Sequence, residues 1–298
     1  MKCDDKYKGI LYVTFAAICW GLIGLFVRAL NRVGYSSIQI VALRACGASL
    51  LLGLYFTIFD RKAFRIKIKD IWIFLGTGLG SMVFFNFCYF GSIRRTSLAV
   101  AVALLYTAPA FVGILSRLFL GERLTKNGLV GIVLAILGCM MTSGIFTHLK
   151  GIDIPGLLLG LGSGLGYALY SIFGKFAIAR GYKSKTSTFY TFFIAMICTS
   201  FSLISRENKA DDQIVGAISG TFLLSLTGLV VISTVMAYIL YTKGLEKINA
   251  GMASVVASIE PLVATVVSVA LFGENLSWNT AIGLICILAS TVVVAKSS

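Results

Sequence analysis

Ten long apolar stretches dominate the sequence, and each is 18 to 28 residues long. A helix needs about 20 predominantly apolar residues to cross the hydrocarbon core of a bilayer. The stretches are continuously apolar, without the polar alternation of membrane β-barrel strands. They predict an all-α membrane protein with ten transmembrane helices, here called spans 1 to 10, over residues 9–30, 36–58, 70–92, 97–119, 127–146, 155–178, 186–205, 215–242, 249–272 and 278–295.

The composition also excludes a soluble globular domain. Of the 298 residues, 58% are hydrophobic and only 13% are charged, whereas soluble domains carry roughly 25% charged residues. The mean hydropathy is +0.92, and a soluble chain with so much apolar surface would aggregate. Because ten spans use most of the chain, we expect no soluble catalytic domain. We place the protein in the cytoplasmic membrane.

The basic residues orient the spans. The formal net charge is +14, and the Lys and Arg residues lie in short runs between apolar stretches, which argues against a nucleic-acid-binding face. If the N-terminus is cytoplasmic, 16 of the 26 Lys and Arg residues fall in inside segments and six in outside segments. Cytoplasmic loops carry the excess of basic residues. Both termini are therefore predicted to be cytoplasmic, with the 60–70 loop inside and the 148–153 loop outside.

The chain repeats itself along nearly its whole length. Residues 118–125 reappear as residues 270–277, displaced by 152 positions, and near the start of each half a displacement of 147 places Trp20 on Tyr167. The repeat predicts two five-helix units, over 9–146 and 155–295. Because five is odd, the second unit has the opposite orientation in the membrane. This inverted arrangement is typical of secondary transporters.

Several motifs within this repeat resemble a known family. Residues 258–264, followed by the Gly-Glu pair at 273–274, resemble the "LEP…GE" signature of EamA-type members of the drug/metabolite transporter superfamily. The first-half counterpart carries Ala108 where the signature has Glu. The Trp-Gly pair at 20–21 and the Arg-x-x-x-Ala element at 44–48 match the same family. The resemblance implies a ten-helix secondary transporter with a central cavity lined by both halves. Members move amino acids, sugars, nucleotide-linked sugars, vitamins, choline or drugs.

Two charged residues lie near the middle of spans. Glu260 is in span 9 and Arg44 is in span 2. A charge at this depth costs roughly 2.5–3.5 kcal/mol on insertion scales, so each needs a reason. Neither charge is repeated in the other half, because the repeat aligns Arg44 with Thr191 and Glu260 with Ala108. A feature present in one half only fits an asymmetric ligand. The alternative, left open here, is a structural ion pair between the two side chains.

Pro109 and Pro261 are repeat equivalents, each in the middle of a span. Proline lacks an N–H, so the carbonyls of Leu105 and Ala257 lose their helical partners. In a membrane such groups persist only where protein, water or ligand satisfies them. The prolines therefore predict helix kinks beside a polar cavity at mid-depth, with ordinary packing as the alternative.

Aromatic residues cluster on the same spans, and an aromatic cavity would suit amino acids, aromatic metabolites or amines. Most membrane aromatics face lipid, so packing is the alternative for each of them. For Asn86 in span 3 the alternative is an interhelical hydrogen bond. The substrate-binding candidates are Trp20, Arg44, Asn86, Tyr89, Tyr106, Tyr167, Tyr170, Tyr238 and Glu260.

The Gly-Glu pairs are predicted to be architectural. Gly121 and Gly273 suit helix C-caps, and Thr125 and Ser277 suit N-caps of the helices that follow. We expect Glu122 and Glu274 to lie near the amide donors of those following helices. Lys175, late in span 6, is expected to extend towards the membrane surface.

Together these features predict a secondary transporter that moves a small organic metabolite by alternating access, as an exporter of an amino acid or related metabolite. Uptake of a sugar, vitamin or choline-like solute is the alternative. An alternative of another class is an intramembrane lipid-processing enzyme. The sequence has no P-loop, nucleophile elbow or zinc pattern, and its single His, His148, lies in a predicted outside loop. We therefore expect no enzymatic activity, no metal and no cofactor. Protons are a candidate coupling ion, and a monomer is compatible with the sequence.

Overall fold

The computed structural model describes residues 3–123, 125–143, 153–200, 220–273 and 277–296. These residues are helical almost throughout, and none of them forms a strand. Two π-helical segments, Gly76–Val83 and Val231–Met236, interrupt spans 3 and 8, and two short 3₁₀ helices, Arg61–Phe64 and Ile68–Asp70, follow span 2. The α-helices are α1 (Cys3–Gly21), α2 (Ile23–Arg32), α3 (Ser37–Phe59), α4 (Ile71–Leu75), α5 (Phe84–Arg95), α6 (Leu98–Leu105), α7 (Ala108–Leu120), α8 (Lys126–Thr142), α9 (Ile154–Ala179), α10 (Ser184–Thr199), α11 (Gly220–Val230), α12 (Ala237–Lys247), α13 (Ala250–Ala257), α14 (Glu260–Phe272) and α15 (Trp278–Ala295).

Each of the ten predicted spans falls on helical residues. Eight helical segments are long and apolar enough to cross a membrane. Of the other two predicted spans, α8 is an apolar helix of 17 residues and α10 has 16 residues. The all-helical prediction is confirmed for the described part of the chain, while the number of ten transmembrane helices stays a prediction. His148, Glu274, the ends of spans 5 and 7 and the beginning of span 8 lie outside the described residues.

Spans 4 and 9 are each broken into two helices. The break in span 4 separates α6 from α7 and the break in span 9 separates α13 from α14, at limits that differ by the repeat displacement of 152. The amide of Thr107 donates to the Leu104 carbonyl at 3.1 Å, and that of Ile259 donates to the Val256 carbonyl at 3.2 Å. The predicted proline kinks are therefore full breaks. Each proline lies in the first turn of a new helix, where its missing N–H costs nothing.

The caps at the ends of α7 and α14 confirm the predicted architecture of the Gly-Glu pairs. Gly121 and Gly273 have left-handed backbone, with φ of +67° and +66°. The amide of Gly128 donates to the Thr125 hydroxyl at 3.0 Å, and the equivalent bond to Ser277 is 3.1 Å. These caps explain why the Gly-Glu motif recurs in both halves.

Small residues allow the helices to pack closely. A Cβ at Gly160 in α9 would clash with the side chain of Leu104 in span 4. The helices α8 and α15 come close enough that a Cβ at Gly138 would lie 2.7 Å from the carbonyl oxygen of Gly283. Small residues at such contacts are what membrane helices use to associate. Gly160, Gly138 and Gly283 are therefore packing residues.

Gly138→Ala is expected to destabilise the protein, because its new methyl group meets backbone atoms of α15 that cannot move independently. Overpacking of this kind costs about 1–3 kcal/mol. The matched control is Gly24→Ala in α2, where an added Cβ has nothing within 4 Å. Thermal melting of the purified proteins should show a lower Tm for Gly138→Ala alone. Equal melting of both variants would contradict the close contact.

Candidate functional site

Aromatic rings from both halves of the chain meet around Trp20 and Tyr238. The Trp20 ring centroid lies 5.2 Å from Tyr238, 5.1 Å from Tyr241 and 6.1 Å from Tyr167. The helical spacing places Tyr167 and Tyr170 on one face of α9, and Tyr238 and Tyr241 on one face of α12. The aromatic cluster, as we call it, consists of Trp20, Tyr167, Tyr170, Phe192, Tyr238 and Tyr241.

Two tyrosines of the aromatic cluster form hydrogen bonds between α9 and α12. The hydroxyl of Tyr170 lies 3.0 Å from the Thr242 hydroxyl. The Tyr241 hydroxyl lies 2.7 Å from that of Ser171. Both hydrogen bonds join α9 to α12, so both hydroxyls already have protein partners. The structure therefore places Tyr170, predicted as a binding residue, in a packing contact.

Arg44 lies against this cluster. Its Nε donates to the Thr234 hydroxyl at 2.7 Å, and that hydroxyl donates to the Leu229 carbonyl at 2.8 Å within the π-helical stretch. The guanidinium lies 5.7 Å from the ring centroid of Phe192 and 5.6 Å from that of Tyr238. These are cation–π distances. Arg44 contacts Thr234 and Phe192, and no sequence pattern predicts either contact.

The equivalent place in the other half is neutral. Thr191, the repeat counterpart of Arg44, has its hydroxyl 2.8 Å from that of Thr77. Thr77 belongs to the π-helical segment of span 3, as Thr234 belongs to that of span 8. Spans 2 and 7 thus each contact a π-helical segment, and only the contact of span 2 involves a charged side chain.

Glu260 is the first residue of α14, at the break in span 9. Its carboxylate is within electrostatic reach of Arg44 and of the hydroxyls of Tyr89, Tyr106 and Tyr167. Among the described residues, no hydrogen-bond donor reaches this carboxylate and no basic group lies within 4.0 Å of it. Glu260 and Arg44 therefore face the same region without forming a direct ion pair.

A narrow pocket lies between the two helix breaks. Its volume, counted as the space that the centre of a water molecule can reach, is about 10 Å³. Such a space holds about one water molecule, so the pocket is closed to a metabolite in this conformation. Residues of both breaks line it: Leu105, Tyr106, Ala108, Pro109, Tyr167, Ser254, Ala257 and Ser258.

Asn86 and Tyr89 are less closely tied to the aromatic cluster. The Asn86 amide donates to the Met82 carbonyl of its own span at 2.7 Å. This bond lies within one span and differs from the interhelical hydrogen bond given above as the alternative to substrate binding. Tyr89 stacks on Phe85 with ring centroids 5.6 Å apart. Its link to the site is the electrostatic interaction with Glu260.

A polar contact joins the two halves at one end of the bundle. The Glu122 carboxylate accepts from the Ala250 amide at 2.8 Å and 3.1 Å. Lys175 donates to the Ile248 carbonyl at 2.8 Å, with its Nζ 3.6 Å from Glu122. The predictions for these residues are corrected here. Glu122 caps α13 of the other half, not the helix that follows it, and Lys175 is bound within the protein.

Comparison with known proteins identifies the family. Residues 7–144 and 154–296 each match the model of the EamA-like transporter family. The chain belongs to this family. The resemblance seen in the sequence motifs is thereby confirmed, and the relatives and the apolar helices indicate an integral membrane protein.

Its relatives are transporters. An uncharacterized transporter of Archaeoglobus fulgidus is 30% identical and covers 96% of this chain and 96% of its own length. The uncharacterized transporter YwfM of Bacillus subtilis is 25% identical, with 96% and 93% covered. The threonine/homoserine exporter RhtA of Salmonella typhimurium is 27% identical, with 85% and 80% covered. One crystal structure, 17% identical, superposes with a TM-score of 0.81 and covers 97% of this chain and 99% of its own, which shows a shared fold.

Trp20→Ala is expected to lower the stability of this transporter, because the Trp20 side chain is 5% exposed and packs against three tyrosines. Truncating a buried Trp typically costs about 3–5 kcal/mol. The matched control is Trp278→Ala, since Trp278 is 85% exposed. Thermal melting should separate the two variants. Parent-like melting of Trp20→Ala would show that this ring does not support the aromatic cluster.

Proposed function

We propose that this EamA-like transporter is a secondary transporter working by alternating access, and that it exports an amino acid or a related metabolite across the cytoplasmic membrane. The observation that carries the proposal is the meeting of two broken spans from opposite halves at a closed pocket. Broken helices at the boundary between repeats are where secondary transporters hold their substrates. Glu260 follows Ala257 and Ser258, which line that pocket, and its carboxylate is within electrostatic reach of Arg44.

The packing supports the proposed organisation as ten spans in two inverted units, 9–146 and 155–295. Helix α5 packs on α9 as α12 packs on α1, and α9 contacts α6 and α7 as α1 contacts α13 and α14. Each of these pairs is the repeat equivalent of its counterpart. The two matched segments of the family model, 7–144 and 154–296, divide the chain in the same way.

Alternating access requires a contact that closes one end of the pocket and can open. The hydrogen bonds of Glu122 to Ala250 and of Lys175 to Ile248 are candidates for this contact. They join the two halves between the start of α13 and the end of α9. In the proposed topology they lie at the cytoplasmic side. This conformation is therefore assigned as closed towards the cytoplasm.

Two observations favour an amino acid over the alternatives. The site offers both an acid and a base, whereas a choline-like cation needs only the acid and the aromatic rings, and a sugar needs neither charge. The relative RhtA is a threonine/homoserine exporter. The relatives are named as transporters, which favours a carrier over a lipid-processing enzyme, the alternative of another class.

Counterflow in proteoliposomes tests the proposed function. Vesicles are loaded with a high concentration of one unlabelled L-amino acid. They are then diluted into buffer that contains a trace amount of the same amino acid in labelled form, with unloaded vesicles as the control. Saturable, transient accumulation of label above its equilibrium level is expected for a carrier. Linear, non-saturating entry would indicate a pore, and counterflow with sugars or choline alone would favour the alternative substrates.

Cysteine labelling tests the proposed topology, with both termini cytoplasmic. Lys62→Cys, in the exposed 3₁₀ helix after span 2, should react with a membrane-impermeant maleimide only in inside-out vesicles. Lys150→Cys should react only in intact cells. The parent protein, which retains its native cysteines, gives the background. The reverse pattern would contradict the orientation proposed from the basic residues.

A further inference from the structure

Two ion pairs elsewhere in the described chain join charged side chains of different elements. Asp70 is 1% exposed and accepts from Arg180 at 2.6 Å, and Lys247 donates to Asp5 at 2.6 Å. Arg44 and Glu260 differ from these groups. Within the described residues, neither has an oppositely charged group within 4.0 Å.

This arrangement is costly unless something else neutralises the charges. Each charge at mid-depth costs roughly 2.5–3.5 kcal/mol on insertion scales, and such residues generally pair with one another or mark a substrate path. Here Arg44 lies 5.6 Å from the ring centroid of Tyr238, which contacts Trp20, and the carbonyl of Glu260 lies against Gly21, the residue after Trp20. The two charged groups thus lie at one part of the structure without a direct ion pair. A ligand that carries both charges would complement both groups at once, whereas a singly charged ligand would leave one of them unmatched.

We propose that the two groups bind the two ends of one zwitterionic substrate, with Glu260 holding the α-ammonium group and Arg44 the α-carboxylate. The substrate class is thus free α-amino acids. This inference rests on the proposed function and adds to it the residues that recognise the substrate. The side chain of the substrate would lie against the ring of Tyr167, which lines the pocket, and against the neighbouring ring of Trp20, whose centroid is 6.1 Å from that of Tyr167.

The surroundings of Arg44 suit a carboxylate. The hydrogen bond to Thr234 uses Nε and fixes the plane of the guanidinium. The guanidinium is also within hydrogen-bonding reach of the Tyr238 hydroxyl, and its planar set of N–H donors is suited to binding a carboxylate. Phe192 and Tyr238 face the same guanidinium with their rings. They exclude water, which strengthens a charged hydrogen bond.

The repeat explains why only one binding orientation is available. The counterparts of Glu260 and Arg44 are Ala108 and Thr191, and Thr191 already has the hydroxyl of Thr77 as a neighbour. The region between Glu260 and Arg44 therefore has one acidic and one basic end. An amino acid would bind with its ammonium group towards the break in span 9 and its carboxylate towards span 2.

Binding to the purified protein in nanodiscs tests the assignment. The tightest-binding member of a panel of L-amino acids is compared with two analogues of the same side chain, the amine without the carboxylate and the acid without the amino group. The parent should bind each analogue about 10-fold more weakly or worse, because a site built for a polar group rejects ligands that lack it. Glu260→Gln should lose the preference for the ammonium group alone, and Arg44→Gln the preference for the carboxylate alone.

Matched controls change the same residue types outside the pocket. Glu246→Gln alters a carboxylate that accepts from Ser184 at 2.7 Å, and Arg94→Gln alters an exposed guanidinium that bonds its own helix. Both should keep the preferences of the parent. If Glu260→Gln or Arg44→Gln melts too low to measure, Glu260→Asp and Arg44→Lys replace them. Each of these should weaken binding of the intact amino acid more than binding of the analogue that lacks the facing group.

Four outcomes would overturn the assignment. Unchanged preferences in both variants would remove the two residues from recognition while leaving counterflow, and so the proposed function, intact. Normal binding by Glu260→Gln with loss only of pH-driven transport would assign Glu260 to proton coupling. Recovery of stability in the Glu260→Gln/Arg44→Gln double variant, with both single variants unstable, would show a structural pair. Counterflow with another solute, and no amino-acid binding, would exclude the substrate class.

Discussion

The breaks in spans 4 and 9 are the constraint on which the rest of the site depends. Within a bilayer an interrupted helix leaves amide and carbonyl groups that lipid cannot satisfy, so interruptions are tolerated only inside the protein or beside a polar cavity. The two breaks meet at one pocket. Glu260 lies at the N-terminal end of α14, where the helix dipole favours a carboxylate. The break thus provides both the pocket and a place where an acidic residue is tolerated.

Features that recur in both halves form the architecture, and features present once carry the chemistry. The left-handed glycines 121 and 273, the N-caps at 125 and 277 and the two helix breaks are duplicated. The charges of Arg44 and Glu260 are not, and the Thr77–Thr191 contact shows that the same packing forms without a charge. Because the counterpart contact forms without a charge, we propose that function offsets the cost of the two charges at mid-depth.

The sequence predicted the helices well because a membrane span is defined by length and hydropathy, which are local properties. It predicted a kink at each proline, whereas each proline lies in the first turn of a separate helix. The sequence does not distinguish the two cases, because proline is compatible with a distorted helix interior and with the first turn of a new helix. The partners of Lys175 and Glu122 were missed because Ile248 and Ala250 contribute backbone atoms, which no side-chain pattern reveals. Thr234 was missed for a related reason, since a threonine in an apolar run gives no sign of a π-helix.

In the proposed alternating-access cycle, the charges and the closing contact together link occupancy to movement. Arg44 and Glu260 form no direct ion pair with each other, so further dehydration as the pocket changes sides would raise their free energy. A zwitterion between them would offset that cost and leave a neutral, dry complex. The hydrogen bonds of Glu122 and Lys175 must break when the cytoplasmic end opens, and only a ligand that favours one state over the other can shift that equilibrium. A substrate that neutralises both buried charges lowers the barrier to the occluded state most, which makes the loaded carrier the form that crosses.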